Sequence, residues 1–182
     1  LPYEFHVITS SELNAFALPG GQIFVTTAAL KAMKNEAELG GVLAHEVTHV
    51  AHKHGIDQLR RAMLAQGIAI AALGSTPAIA QQAGKIALEL VLKGFSRTAE
   101  DEADRYGARF TSAAGYDPHG LSSFLQTLAQ TMGDTPKAFE PLSDHPIISE
   151  RVQHITETIS EWQLTGTEVS AQTFLNQTQP LR

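Results

Sequence analysis

The sequence predicts an α+β fold, mainly helical, with a small sheet at its N-terminal end. Three observations carry this expectation. The first thirty residues hold short runs of Phe, Val, Ile and Thr separated by turn residues. From about residue 35 the apolar spacing changes to three and four and keeps that period to about residue 160. The chain has 182 residues with 43% hydrophobic and 18% charged side chains, enough for one domain to bury a core.

Segments 3–9, 13–18 and 22–26 are parted by Ser10-Ser11 and by Pro19-Gly20-Gly21, which predicts three strands. Asn35 followed by Glu38 reads as a capping box. Leu39, Val42, Leu43 and Val50 then keep helical spacing through His52, with Gly55 as the expected stop. Leu59, Met63 and Ile70, then Ile79, Ala83, Ile86, Leu90 and Val91, mark two amphipathic helices around a break at Gly74-Ser75-Thr76-Pro77. This is the most apolar stretch of the chain. Gln66, Pro77, Gln81, Gln82, Lys85 and Glu89 interrupt it short of the ~20 apolar residues a membrane span needs, so it reads as two buried or membrane-grazing helices.

Ala99, Ala103, Tyr106, Phe110 and Ala113 define a helix over about 97–114, with Glu100 and Asp104 sharing another of its faces. Asp117-Pro118 opens a helix that turns Leu121, Phe124, Leu125 and Leu128 inward. Pro146 opens the last one, carrying Ile148, Val152, Ile155 and Ile159. Residues 133–145 form a long loop with two prolines, Pro136 and Pro141. The expected domain is 1–164, and residues 165–182 are polar and weakly patterned, a tail of uncertain order.

A net charge of -6 gives no electrostatic reason for a nucleic-acid partner. The absence of cysteine removes disulfides, thiolate ligands and thiol nucleophiles together, and leaves the redox compartment open. Starting at Leu1 rather than Met, the chain reads as processed or truncated, and a signal peptide or lipid anchor upstream would not be visible in it.

The strongest chemical signal is His45-Glu46-Val47-Thr48-His49. Two histidines four apart on a helix share a face and can bring two imidazole nitrogens to one Zn2+. Glu46 lies about 100° round the helix, at the border of that face, where a general base can reach an attacking water without displacing it. A third ligand must be His, Asp or Glu. The segment 96–104 offers Glu100, with Asp104 one turn on, as a ligand and a partner that accepts the free ring N–H of a ligating histidine. The alternative is a solvated acidic helix start favoured by the macrodipole, which is how Asp101 and Glu102 read. His52 and His54 read as surface cations at a helix C-terminus rather than as ligands.

These motifs resemble the HtpX/BepA-type zinc metallopeptidases, relatives of the CAAX prenyl proteases. Asn14-Ala15-Phe16-Ala17 with Pro19-Gly20-Gly21 is similar to the opening strands of that family. Glu36-Ala37-Glu38-Leu39 through His49 is similar to its active-site helix, Ser96-Arg97 with Glu100, Ala103 and Asp104 to its third-ligand motif, and His145-Pro146 with Arg151 to its late histidine-proline segment. The resemblance implies a zincin-like gluzincin domain with one Zn2+ on His45, His49 and Glu100 and with Glu46 as general base. It implies endopeptidase activity on cell-envelope proteins that are misfolded or unassembled. The membrane spans of some relatives are not evident, so the periplasmic branch is the nearer one, either free or anchored through a segment preceding Leu1.

In that family the peptide adds as an extra strand beside the sheet, which points to Gln22, Ile23, Phe24, Val25 and Thr26. The long loop is expected to fold over the site, with His145 as a plug on the open metal position or as an oxyanion donor, and Arg151 as a second group within reach of substrate. Polypeptide substrates and an envelope or membrane-surface partner follow. The competing reading is a zinc-holding, chaperone-like assembly factor that rarely cuts, but a pure binding site has no use for Glu46.

Overall fold

The computed structural model describes residues 2–65, 76–132 and 147–181. The 133–145 loop with His145, together with Ile70, Gly74, Ser75 and Pro146, lies outside them. Three strands form at the expected places: β1 (Glu4–Ile8), β2 (Ala15–Leu18) and β3 (Gln22–Thr26). Their spatial order is β1-β3-β2, with β1 parallel and β2 antiparallel to β3. The cause is the tight turn at Gly20 and Gly21, whose φ values of 112° and 98° suit glycine and fold β3 directly back on β2.

This order corrects one expectation. Gln22, Ile23, Phe24, Val25 and Thr26 lie in the central strand, so their main-chain groups are already paired with neighbours on both sides. A peptide cannot add there. Among the described residues, the strand edge on the helical side of the sheet that pairs with no other strand belongs to β2, which packs against the helix carrying the histidine pair.

Thr26 ends β3 and also caps α1 (Thr27–Ala32), a short helix that the apolar period is too brief to reveal. α2 (Glu36–Ala51) starts at Asn35, whose side chain accepts from the Glu38 N–H at 2.9 Å. Buried Glu38 reaches back to the Lys34 N–H and accepts a further bond from the Ser123 hydroxyl at 2.7 Å. The helix ends at His52. The reversal is made by Lys53 in the left-handed region, φ 62°, and Gly55, the expected stop, lies inside α3 (His54–Ala65).

α4 (Pro77–Lys93) packs on α3 around Met63, Ala83 and Ile86. Among the described residues no helix is long and apolar enough to cross a membrane. The other helices are α5 (Arg97–Ala113), α6 (Gly120–Met132), α7 (Ile148–Glu161) and α8 (Ala171–Thr178). α2 runs through the middle, against α5 and α6, with α7 covering both of these. The main core joins Val25, Val42, Leu121, Phe124, Leu128 and Ile155. At Gly120 the start of α6 meets α2 so closely that an added Cβ would fall 1.9 Å from the Ala37 carbonyl oxygen, so only glycine fits there.

The final segment, whose order the sequence left uncertain, is packed on the domain. Glu168 pairs with Tyr116 in an isolated bridge, and the Val169 carbonyl accepts from the Glu36 N–H at 3.0 Å. α8 then places Phe174 in the main core, 3% exposed. Phe174 and the backbone bonds at Glu168 and Val169 together hold a polar segment that shows no periodic pattern.

Candidate metal centre

His45 and His49 project from one face of α2, one turn apart. Their Nε2 atoms approach to 3.0 Å. α5 contributes Glu100 from the turn after its Ser96 cap, with Oε2 3.6 Å from His45 Nε2 and Oε1 3.7 Å from His49 Nε2. All three side chains are buried, and their donor atoms point at one position, so they can hold a metal ion. Glu46 is also buried and stands beside them, facing the backbone of Ala17 in β2.

Burial pushes the Glu46 carboxyl up to about 7, opposed by the nearby positive His45 and the Ala17 N–H. A divalent cation at the convergence point would favour its ionised form. Burial also drives the His49 imidazole far below its ordinary value, helped by neighbouring His45 and His54, so His49 is neutral and offers a lone pair. Burial acts against charge on His45 as well, but Asp104 and Glu100 outweigh it and hold its pKa above the usual one.

Asp104, one turn after Glu100, lies with Oδ1 2.9 Å from His45 Nδ1. The approach is off-line for a ring N–H, so the contact is chiefly electrostatic. Arg151 of α7 grips the same carboxylate with two bonds, Nε to Oδ2 at 2.8 Å and Nη2 to Oδ1 at 2.7 Å. Burial alone would raise Asp104, but the guanidinium overrides it and holds the carboxyl at about 2. Arg151 Nη2 is also 3.6 Å from Glu100 Oε2. The guanidinium that sequence reasoning set near substrate is therefore engaged with two carboxylates of α5.

His145 lies outside the described residues. One group treated as a surface feature in the sequence, His54, stands against the metal trio instead, and it is backed by His52 and Glu102. His54 places Nδ1 2.9 Å from His49 Nδ1 and Nε2 3.0 Å from Glu102 Oε2, while His52 Nδ1 is 2.8 Å from Glu102 Oε1. Phe95, brought round by Gly94 at φ 71°, stacks on the His49 ring with centroids 4.0 Å apart. The available signal was the five-residue interval from His49 to His54, which becomes a contact only because Lys53 reverses the chain. A cleft of about 590 Å3 opens beside His49 and Phe95 and is bordered by Ala17 and Leu18 of β2.

The docking of α5 on α2 depends on Gly107, where an added Cβ would meet the His45 N at 3.1 Å and Cα at 3.2 Å. Both are backbone atoms and cannot swing away. Gly107→Ala is expected to part the two helices by a few tenths of an ångström at the metal ligands and to cost about 1–3 kcal/mol. Urea denaturation of the variant should show a lower midpoint with an unchanged slope. An unshifted midpoint would mean that α5 tolerates the displacement.

A model of Peptidase family M48 matches residues 1–159. The chain is 34% identical over 164 residues to the beta-barrel assembly-enhancing protease of Escherichia coli K12, covering 83% of this chain and 33% of that protein. It is 32% identical over 164 residues to the mitochondrial metalloendopeptidase OMA1 of Schizosaccharomyces pombe, covering 90% of this chain and 49% of the relative. Metalloprotease YcaL of Escherichia coli K12 is 31% identical over 164 residues, 87% of this chain and 63% of that protein. The chain thus spans about a third of the length of the assembly-enhancing protease and about half that of OMA1.

Proposed function

The chain belongs to peptidase family M48, and from that premise we propose that it is a zinc-dependent endopeptidase acting on unassembled or misfolded proteins of the bacterial cell envelope. The observation that carries the reading is the convergence of two imidazole nitrogens and one carboxylate beside a buried glutamate that is not needed as a ligand. A tetrahedral zinc site with bonds of about 2.0–2.1 Å has ligand-to-ligand edges of about 3.3 Å. The edges here, 3.0, 3.6 and 3.7 Å, bracket that value. His45, His49 and Glu100 would hold the ion and leave one position open for chemistry.

When bound, zinc supplies a Lewis acid that polarises the scissile carbonyl and acidifies the attacking water. Glu46 takes the proton of that water and delivers it to the leaving amine. Asp104 holds the His45 ring, and Arg151 holds Asp104, so Arg151 positions the site rather than touching substrate. The substrate backbone adds to the free edge of β2, whose residues 17 and 18 border the cleft. Main-chain pairing of that kind asks for an unfolded segment and selects little by side chain. The name of the beta-barrel assembly-enhancing protease supports substrates among beta-barrel proteins that have not completed assembly.

Protein purified without added metal should contain one zinc per chain, and the His45→Ala/His49→Ala double variant should contain none. Casein digestion should stop on chelation and return with zinc. Hydrolysis that survives complete removal of metal would overturn the assignment.

A further inference from the structure

His52, His54 and Glu102 lie beside the metal trio and are themselves close enough together to suit an ion. The protons decide what they do. His45 and His49 face each other through Nε2 at 3.0 Å, so in the zinc-holding arrangement proposed above both Nε2 atoms present lone pairs and both rings carry their proton on Nδ1. For His45 that proton lies beside Asp104 Oδ1, 2.9 Å from Nδ1 in an off-line, chiefly electrostatic contact.

For the His49 Nδ1 proton the acceptor in contact among the described residues is His54 Nδ1, at 2.9 Å. A neutral imidazole that accepts at Nδ1 carries its own proton on Nε2, and His54 Nε2 lies 3.0 Å from Glu102 Oε2. The other oxygen of Glu102 takes His52 Nδ1 at 2.8 Å, which fixes the carboxylate from the opposite side. Every donor then meets one acceptor.

A second metal ion on His54 Nε2 breaks this count. It would move the His54 proton to Nδ1 and set it against the His49 Nδ1 proton across 2.9 Å.

We infer that His54 and Glu102 are positioning residues for the metal site, a relay His49 Nδ1–H to His54 Nδ1 and His54 Nε2–H to Glu102 Oε2 that fixes the tautomer and ring plane of His49. Each ligating histidine has its own carboxylate, Asp104 directly for His45 and Glu102 through an intervening imidazole for His49. Stacking of Phe95 on His49, interplanar angle 17°, clamps the same ring plane from its face. The inference rests on the zinc-holding role of His45, His49 and Glu100.

The test uses the whole chain labelled with 15N-histidine. In the zinc-loaded protein, NMR should show a slowly exchanging His49 Nδ1–H, with coupling across the hydrogen bond to His54 Nδ1. His54→Ala should remove that coupling and lower zinc affinity by roughly 10 to 100-fold against a competing chelator. Glu102→Ala, on the half-exposed face of α5, should weaken zinc in the same direction. Glu102→Gln should restore most of the loss, because an amide oxygen still accepts from His54 Nε2–H. Zinc affinity unchanged in both His54→Ala and Glu102→Ala would overturn the relay. So would a second zinc equivalent that disappears in His52→Ala. Wild-type protein that binds no zinc would instead overturn the metal site, and the relay with it.

Discussion

Glu46→Gln is expected to keep zinc and lose peptide hydrolysis by about 10^2 to 10^4-fold, the usual contribution of a positioned general base. The amide is nearly isosteric, so the buried pocket against Ala17 stays filled, but it cannot take up the proton of the attacking water. The discriminating measurement is a pair: zinc content by elemental analysis, and single-turnover cleavage of an unfolded protein. Retained zinc with lost cleavage assigns Glu46 to chemistry. Retained cleavage would give the proton transfer to another group. Loss of both would make Glu46 part of the ligand scaffold.

Arg151→Met is expected to destabilise the metal-free protein by about 3–5 kcal/mol, because it strands Asp104 inside the protein with its charge uncompensated. Asp104 is 1% exposed, and Arg151 supplies its two shortest hydrogen bonds. Methionine preserves most of the packing volume, so the loss is electrostatic in origin. Denaturation in urea, with chelator present to remove any contribution from zinc, measures it directly. The Arg151→Met/Asp104→Asn double variant should recover much of the loss, since the remaining group is neutral. An Arg151→Met midpoint equal to that of wild type would show that His45 alone compensates the carboxylate.

Local chemistry made much of this architecture legible. Turn residues at 10–11 and 19–21 delimit the strands, and Asn35 starts α2 because its side chain accepts from the N–H three residues on. Four-residue spacing put His45 with His49, and Glu100 with Asp104, on single helix faces. Pairings between distant segments were not legible. Strand order depends on which edge of β3 receives β1, and nothing in residues 4–8 encodes that choice locally. The docking of α5 on α2 rests on a glycine, Gly107, whose importance is the absence of a side chain. His54 sits out of helical phase with His49, and only the left-handed turn at Lys53 brings their rings together.

The packed C-terminal segment bears on how such a domain can be dissected or grafted. The family match ends at residue 159, but Val169 holds the first peptide group of the histidine-bearing helix and Phe174 joins the main core. A chimera joined where the family match ends would leave behind the strap that ties down the beginning of α2. The histidines would remain in place in the sequence while the helix that aims them lost its fastening at one end. A joint placed after Leu181 keeps α2 and its strap together.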